Sequence, residues 1–402
     1  MRARYLLVAN IVFGSVAHCG NAADWPQFRG PNRDGISPET GINTNWNEKP
    51  PQTLWTVALH DKGYSGPSAA DGTLYIVDHV EDSDIVLALN LKTGKERWRF
   101  RYATSGGEHY GFARATPAID DGLVYTISRD GLVHCLDANS GKQVWRRDVL
   151  SEVEGKAPKW GVAHSPIIEG KTLIVPGGGA DAHVLALNKQ TGDVLWKGGG
   201  TAKLGYATPV VAEINERKQY VIFHGKGLIG VDVETGSRIW SQKWKTNYDV
   251  NAATPLVFDN GTVFVSSGYK TGCALINVAG DQATIVWDND KMNAQFSTPI
   301  VVDGLIYGTG DPGFLICLEA ATGKLRWRQG GFHKGGLVGV DGHMIVMNGK
   351  DGYAALVQIH PWKYVVKGWI TPLHGQAWVA PIIADKKLII RNRDKLAVVD
   401  LS

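Results

Sequence analysis

A ten-residue spacing recurs along this 402-residue chain and constrains its fold more than any other feature. Ala88 leads through Thr93-Gly94-Lys95 to Trp98, and Cys135 through Ser140-Gly141-Lys142 to Trp145. The frame returns at Ala186 to Trp196, Gly230 to Trp240 and Cys317 to Trp327. Each time a small residue is followed ten positions on by tryptophan, with Thr-Gly or Ser-Gly between. One such unit cannot bury its own indole, so a stack of units must share a core.

A second landmark opens each unit: Gly66-Pro67, Thr116-Pro117, Ser165-Pro166, Thr208-Pro209, Thr254-Pro255, Thr298-Pro299 and Ala380-Pro381. After the proline come two β-rich runs joined by a tight turn, such as Asp121-Gly122 or Asp303-Gly304, a strong hairpin signal. The third run carries the small residue and the fourth the tryptophan; glycine in the Thr-Gly between them supplies the positive φ of a turn. Each unit therefore reads as a four-stranded antiparallel sheet. Tryptophans 55, 98, 145, 196, 240, 287, 327 and 369 mark eight of them, at the roughly 45-residue spacing of propeller blades. The fold class is all-β, an eight-bladed β-propeller. The chain ends on a third strand, Lys395 to Asp400, and the missing fourth is available as Thr53 to Val57. Pairing the two would close the ring and remove exposed edges. The fifth unit lengthens its last hairpin at Asn277 to Gln282; the seventh lacks both the leading proline and the Thr-Gly, with Pro361 in its turn.

The ring accounts for residues 53–402, with 24–52 as an extension that either packs across one face or gates the central channel. Residues 1–23 read as a secretory signal: Arg2 and Arg4, an apolar stretch from Tyr5 to Val16, then Ala22-Ala23. That stretch is too short for a membrane span. Cys19 raises lipoprotein anchoring, but His18 stands where a small residue is wanted, so conventional export to the periplasm or beyond is preferred. The formal net charge of +3 points to neither nucleic acid nor an anionic membrane surface. Cys135 and Cys317 occupy the small-residue slot, and with Cys273 they read as buried fillers and not a disulfide framework.

The pattern Ala-x-Asp/Asn-x-x-Thr-Gly-Lys-x-x-Trp resembles the tryptophan-docking repeat of quinoprotein-type, pyrroloquinoline-quinone-like β-propellers. Residues 88–98 match it almost letter for letter, and Asp24 to Gly35 resembles the start of exported bacterial members. The resemblance implies indoles wedged between blades. It also implies two functional classes: quinone-dependent alcohol and sugar dehydrogenases, which hold pyrroloquinoline quinone beside calcium, and non-enzymatic members such as the propeller lipoprotein of the outer-membrane barrel-assembly machinery. Many of the dehydrogenases have two adjacent cysteines against the cofactor; this chain has no such pair. Glu108, Asp249 and Asn251 are the available oxygen donors for calcium, and Trp160 a stacking floor.

Ligands of a propeller meet the segments between each tryptophan strand and the next proline. Those segments offer His109, Arg114, Trp160, His164, Tyr206, Asp249, Asn251, Gln295, Lys334, Gln376 and Trp378 as candidate ligand-binding residues at one funnel mouth. The alternative is that they plug the funnel and tie adjacent loops together. Arg114, His164 and Lys334 lean basic, suiting a small anionic ligand or an acidic stretch of an envelope protein. Gly170-Lys171-Thr172 lacks the first glycine of a phosphate loop, and neither Gly-x-Ser-x-Gly nor His-Glu-x-x-His occurs. No catalytic residue, metal site or certain cofactor is assigned. The preferred reading is a monomeric extracytoplasmic binding or scaffold module. The alternative is a periplasmic quinone-dependent dehydrogenase of alcohols or sugars.

Overall fold

The computed structural model describes residues 23–60, 62–104 and 112–402. Within them eight sheets follow one another, seven of four strands and one, the seventh, with a fifth strand added from the extension. The first blade runs Ser68–Ala70, Thr73–Val80, Ser83–Asn90 and Glu96–Ala103. Each leading proline stands directly before an innermost strand, such as Pro117 before Ala118–Asp120, where its missing N–H costs no ladder bond. The eighth blade closes as the sequence requires: Thr53–Ala58 pairs antiparallel with Lys395–Asp400, bringing Trp55 opposite Val398.

The indoles join the blades. Trp55, Trp98, Trp145, Trp196, Trp287 and Trp327 donate Nε1–H to backbone carbonyls of Leu91, Ala138, Lys189, Val233, Ala320 and His360, each in the next blade, at 2.8 to 3.2 Å. The glycine of the Thr-Gly turn has a second role beyond its φ. A Cβ on Gly141 would meet the Trp98 ring at 2.5 Å, and the same holds for Gly94 against Trp55 at 2.7 Å. Beside the lengthened hairpin of the fifth blade the joint changes: Trp240 donates instead to Gln219 Oε1 of its own blade, at 2.6 Å.

Trp369 is a correction. The residue opposite the third strand just before the bulge is Trp98 in the first blade, facing Ala88, but Gly368 in the seventh, facing Leu356. Trp369 is one position late, 44% exposed, and stacks back on Phe332 of its own side at 5.8 Å. The empty slot is filled by Trp46 from the extension. A Cβ on Gly368 would meet the Trp46 Cβ at 2.5 Å, and the Trp46 indole is buried.

The rest of the extension runs through the hole of the ring. Ile36–Ser37 adds a parallel strand to the inner edge of Leu337–Val340. Trp25 exchanges two backbone bonds with Ala69, and Ile119 N–H donates to the Pro26 carbonyl. Inner edges that would otherwise leave amides unpaired are thus satisfied. Asp24 accepts from the Asp71 amide, Gly41 donates to Asp341, and Glu39 accepts from the Lys386 amide. All three partners lie in the hairpin turns at one end of the ring, so the extension closes the channel there and leaves the opposite end open. Cys135, Cys273 and Cys317 are buried free thiols; Cys135 and Cys317 face Trp145 and Trp327 across the sheet.

Candidate functional site

The open end of the channel is a cavity of about 470 Å³, within the size range of small-molecule sites. Trp25, Phe28, Arg29 and Gly35 of the extension form its floor; its walls come from the loops that precede the innermost strands. Tyr64, Trp378 and Phe296 make one aromatic wall, with Tyr64 stacked on Trp378 at 5.4 Å and Phe296 tilted against Trp378 at 5.1 Å. Trp160 and Tyr206 face each other in another, 5.9 Å apart. Tyr248 extends that wall to the rim, edge-on to Trp160 at 6.3 Å and to Tyr269 at 5.5 Å. Tyr248 is 65% exposed and both tyrosines hold left-handed backbone, at φ 60° and 59°, a strained conformation that clusters at binding sites.

Between the blades a belt of hydroxyls surrounds the cavity. Thr116 N–H donates to Ser165 Oγ at 2.9 Å, Ser165 N–H to Thr208 Oγ1 at 3.0 Å, and Thr254 N–H to Thr298 Oγ1 at 2.9 Å. These are the residues just before the leading prolines. Each hydroxyl takes up the amide of a neighbouring blade that no sheet ladder reaches.

The structure gathers Arg114, Trp160, Tyr206, Gln295, Lys334 and Trp378 into the cavity lining. Lys334 donates to Gln295 Oε1 and stands 5.7 Å over the Trp378 ring. Gln376 sits in an adjoining recess with Asp311, His333 and Lys350 and donates to Tyr64 Oη at 3.0 Å. Three residues are placed elsewhere. His164 is buried between the third and fourth blades beside His183, and desolvation lowers its imidazole to about 3. Asn251 is fully buried and holds loops together, accepting from Thr246 and Ser267 and donating to the His224 carbonyl. Asp249 is engaged by both Lys203 and Lys226; burial pushes its carboxyl up, but these two partners bring it below the usual range. His109, together with Glu108 and Cys19, lies outside the described residues.

Residues not foreseen as cavity lining are Tyr64, Tyr269 and the floor from the extension, whereas Phe296 lies in a foreseen segment without having been singled out. Tyr64 and Phe296 precede Pro67 and Pro299 by three residues each, the spacing that also carries Arg114 and Trp378 onto the cavity, so their positions were legible. The floor was not, because no repeat register reaches Trp25 or Arg29.

The calcium-and-quinone arrangement meets a donor set that does not suit it. Among the described residues no aspartate or glutamate lines the cavity, and no cluster of three metal-ligating side chains occurs. Calcium needs six to eight oxygens, several of them carboxylate. Asp249 is committed to two lysines and Asn251 to loop bonds, and Trp160 stands in a wall, not on the floor. No helix among the described residues is long and apolar enough to cross a membrane.

A family profile described as outer membrane protein assembly factor BamB matches residues 82–329 and 286–402. The chain is 27% identical over 256 residues to an outer membrane protein assembly factor BamB of Yersinia pestis. That alignment covers 58% of this chain and 60% of the relative, so the chain spans about three fifths of that protein's length. It is also 25% identical over 246 residues to the quinoprotein alcohol dehydrogenase PedH of Pseudomonas putida, covering 57% of this chain and 38% of that one. The crystal structure of BamB from Moraxella catarrhalis matches with a TM-score of 0.62 over 87% of this chain and 97% of that chain, at 16% identity, a likeness of fold.

Proposed function

The chain belongs to the family of outer membrane protein assembly factor BamB, and on that premise we propose that it works by binding, as an exported monomeric scaffold of the bacterial cell envelope. Residues 1–23 act as the export signal, and the contact surface is the cavity mouth with its rim. One observation supports this reading above the others: the mouth is aromatic and cationic, and its described lining holds no carboxylate to serve as base or calcium ligand. Such a surface recognises an acidic partner or ligand; it has no described proton acceptor with which to drive oxidation. The family's name further supports a role in assembling outer-membrane proteins.

The test is deletion in the host, with quantification of folded outer-membrane proteins. Loss that is restored by the intact chain, and not by a Trp160→Ala/Trp378→Ala variant, supports the scaffold. An unchanged outer membrane, together with dye reduction over alcohols or sugars by the purified chain given pyrroloquinoline quinone and calcium, would replace it with the dehydrogenase. That second reading keeps one observation in its favour, an open cavity of about 470 Å³.

A further inference from the structure

The extension that closes the cavity also puts a cation on its floor. Arg29 lies deep in the ring, where burial lowers its guanidinium to about 10, yet it keeps surface exposed on the cavity. Its Nε donates to the Arg33 carbonyl at 3.1 Å and its Nη2 to the Asp34 carbonyl at 2.6 Å, both uncharged oxygens. The Asp34 carboxylate acts on it through space, but hydrogen-bonds the Ile36 amide at 2.8 Å instead. Arg114 and Lys334 bring two further cations to the lining. The Asp311 carboxylate is 3.9 Å from Lys334, on the side of the adjoining recess. Burying Arg29 with only carbonyl oxygens bonded to it is costly unless an anion meets it, which favours a negatively charged occupant.

Two features define the shape of that occupant. The cavity amides at Thr116, Ser165 and Thr254 are already bonded to neighbouring hydroxyls, and the extension bonds to the inner edges of the seventh, first and second blades. Strand addition by an extended peptide needs a free backbone edge, so at the positions already bonded recognition falls to side-chain faces and charges. Apart from Tyr64, which stacks on Trp378 within one wall at 14°, the aromatic rings form a bowl and not a slot. Phe296 is tilted 40° to Trp378, Trp160 44° to Tyr206 and 71° to Tyr248. A flat tricycle wants parallel plates, whereas a puckered pyranose presents C–H groups in several directions to tilted aromatic faces.

Resting on the binding reading above, we propose that the cavity takes the terminal residue of an acidic glycan, a hexuronic acid whose carboxylate meets Arg29 and whose ring lies against the aromatic walls. Lys334, the Gln295 amide and the Tyr206 and Tyr269 hydroxyls are the polar partners for its hydroxyl groups.

The experiment is titration calorimetry of the full exported chain with trigalacturonate. Its comparison arms are the neutral trisaccharide, calcium-free pyrroloquinoline quinone and an aspartate-rich peptide. One-site binding of the uronide is expected, about tenfold or more tighter than the neutral sugar, since a charge-assisted hydrogen bond is at stake. Arg29→Gln is expected to weaken it about tenfold, with Arg29→Lys restoring most of the loss. Lys334→Gln gives about a threefold loss and decides the matter if Arg29→Gln fails to fold. Equal binding of the neutral sugar, preference for the quinone or peptide, or unchanged affinity in folded Arg29→Gln or Lys334→Gln would overturn the proposal. None of these outcomes bears on the outer-membrane phenotype, so the scaffold reading stands or falls separately.

Discussion

The joint between the first and second blades and the joint between the seventh and eighth perform one task with different parts. In the first, Trp98 comes from the repeat itself, lies on Gly141 and donates to the Ala138 carbonyl at 2.8 Å. In the second, the repeat offers only Gly368, and Trp46 enters from outside it. The hydrogen-bond path lengthens accordingly. Trp46 donates to the Asn43 carbonyl, and Asn43 N–H donates to Leu401, whose position corresponds to Ala138. The ring therefore needs an indole at this joint more than it needs the repeat to supply it. A segment with no repeat character is as much a part of the propeller core as any blade.

The comparison breaks if Trp46 is dispensable. Trp46→Ala is expected to destabilise the chain by about 3–5 kcal/mol, the usual loss for a buried tryptophan. Trp369→Ala, at an exposed side chain, is expected to cost under about 1 kcal/mol. Denaturant titration of both variants checks the pair. A larger loss at Trp369 would return the docking role to the repeat.

Acid sharpens the contrast between the two joints. His134 packs on Tyr102 across the first joint at 4.1 Å, and burial lowers its imidazole to about 4. His183, between the third and fourth blades, is likewise lowered to about 4, and His164 to about 3. Each is neutral in the folded protein while the unfolded chain takes up a proton near pH 6.5. Stability is therefore full above about 6.5 and erodes as pH falls towards 4, by up to about 1.4 kcal/mol per pH unit for each histidine. His224, in the fourth blade, is lowered to about 4 in the same way, so the histidines that burial lowers among the described residues lie in the second to fourth blades. Hydrogen exchange at pH 7 and pH 5 should show amides of the second to fourth blades losing protection first. Uniform loss around the ring would contradict this.

Most of the ring was legible because its joints are filled from within a fixed frame: small residue, Thr-Gly, tryptophan. That frame occurs in five units; the count of eight came from tryptophan spacing with the leading prolines, and the closure from a last third strand whose missing fourth is Thr53 to Val57. The misreading of Trp369 has a physical cause. A bulge shifts register by one residue, and with the Thr-Gly replaced by His360-Pro361 nothing in the sequence fixes where the bulge falls. Site residues divided the same way. Arg114, Trp378 and Lys334 sit at repeat-determined positions before an inner strand and reach the cavity. Asp249 and Asn251 sit in a loop where other groups engage them, Lys203 and Lys226 for Asp249, and Thr246, Ser267 and the His224 carbonyl for Asn251. Trp46 and Arg29 could not be placed, since neither lies in any repeat.

The glycine platform gives a smaller test of the regular joint. Gly141→Ala combines a left-handed φ of 70° with a Cβ that meets Trp98 at 2.5 Å. About 2–4 kcal/mol is expected, from backbone strain and overpacking together. Gly280, in the hairpin of the fifth blade, has φ 63° and nothing within 4 Å of its would-be Cβ. Gly280→Ala should cost about 1–2 kcal/mol, the strain alone. Thermal or denaturant midpoints of the two variants, compared directly, isolate the indole contact. Equal losses would mean that the turn, and not the tryptophan, demands glycine at both sites.

The smallest effect concerns how the two halves of the ring are fastened at its centre. Hydroxyls before the leading prolines link the second to the sixth blades, whereas Gly336, Ala380 and Gly66 occupy those positions in the seventh, eighth and first. At the two glycines the blades approach too closely for a side chain: a Cβ on Gly336 would meet the Ala380 Cα at 2.3 Å, and one on Gly66 would meet Thr116 Oγ1 at 2.4 Å. It is around these three blades that the extension supplies Ile36–Ser37, Trp25 and Trp46. Thr298→Val keeps the side-chain volume but removes the acceptor of the Thr254 amide, leaving a buried donor unsatisfied at an expected cost of about 1 kcal/mol. Because Thr298 also lines the cavity, the same variant should alter ligand affinity little if side chains on the walls and floor do the recognising. Denaturation and calorimetry on this one protein separate the two roles. A stability loss with affinity intact identifies the belt as a fastener, and affinity falling with stability unchanged would make it part of the binding surface.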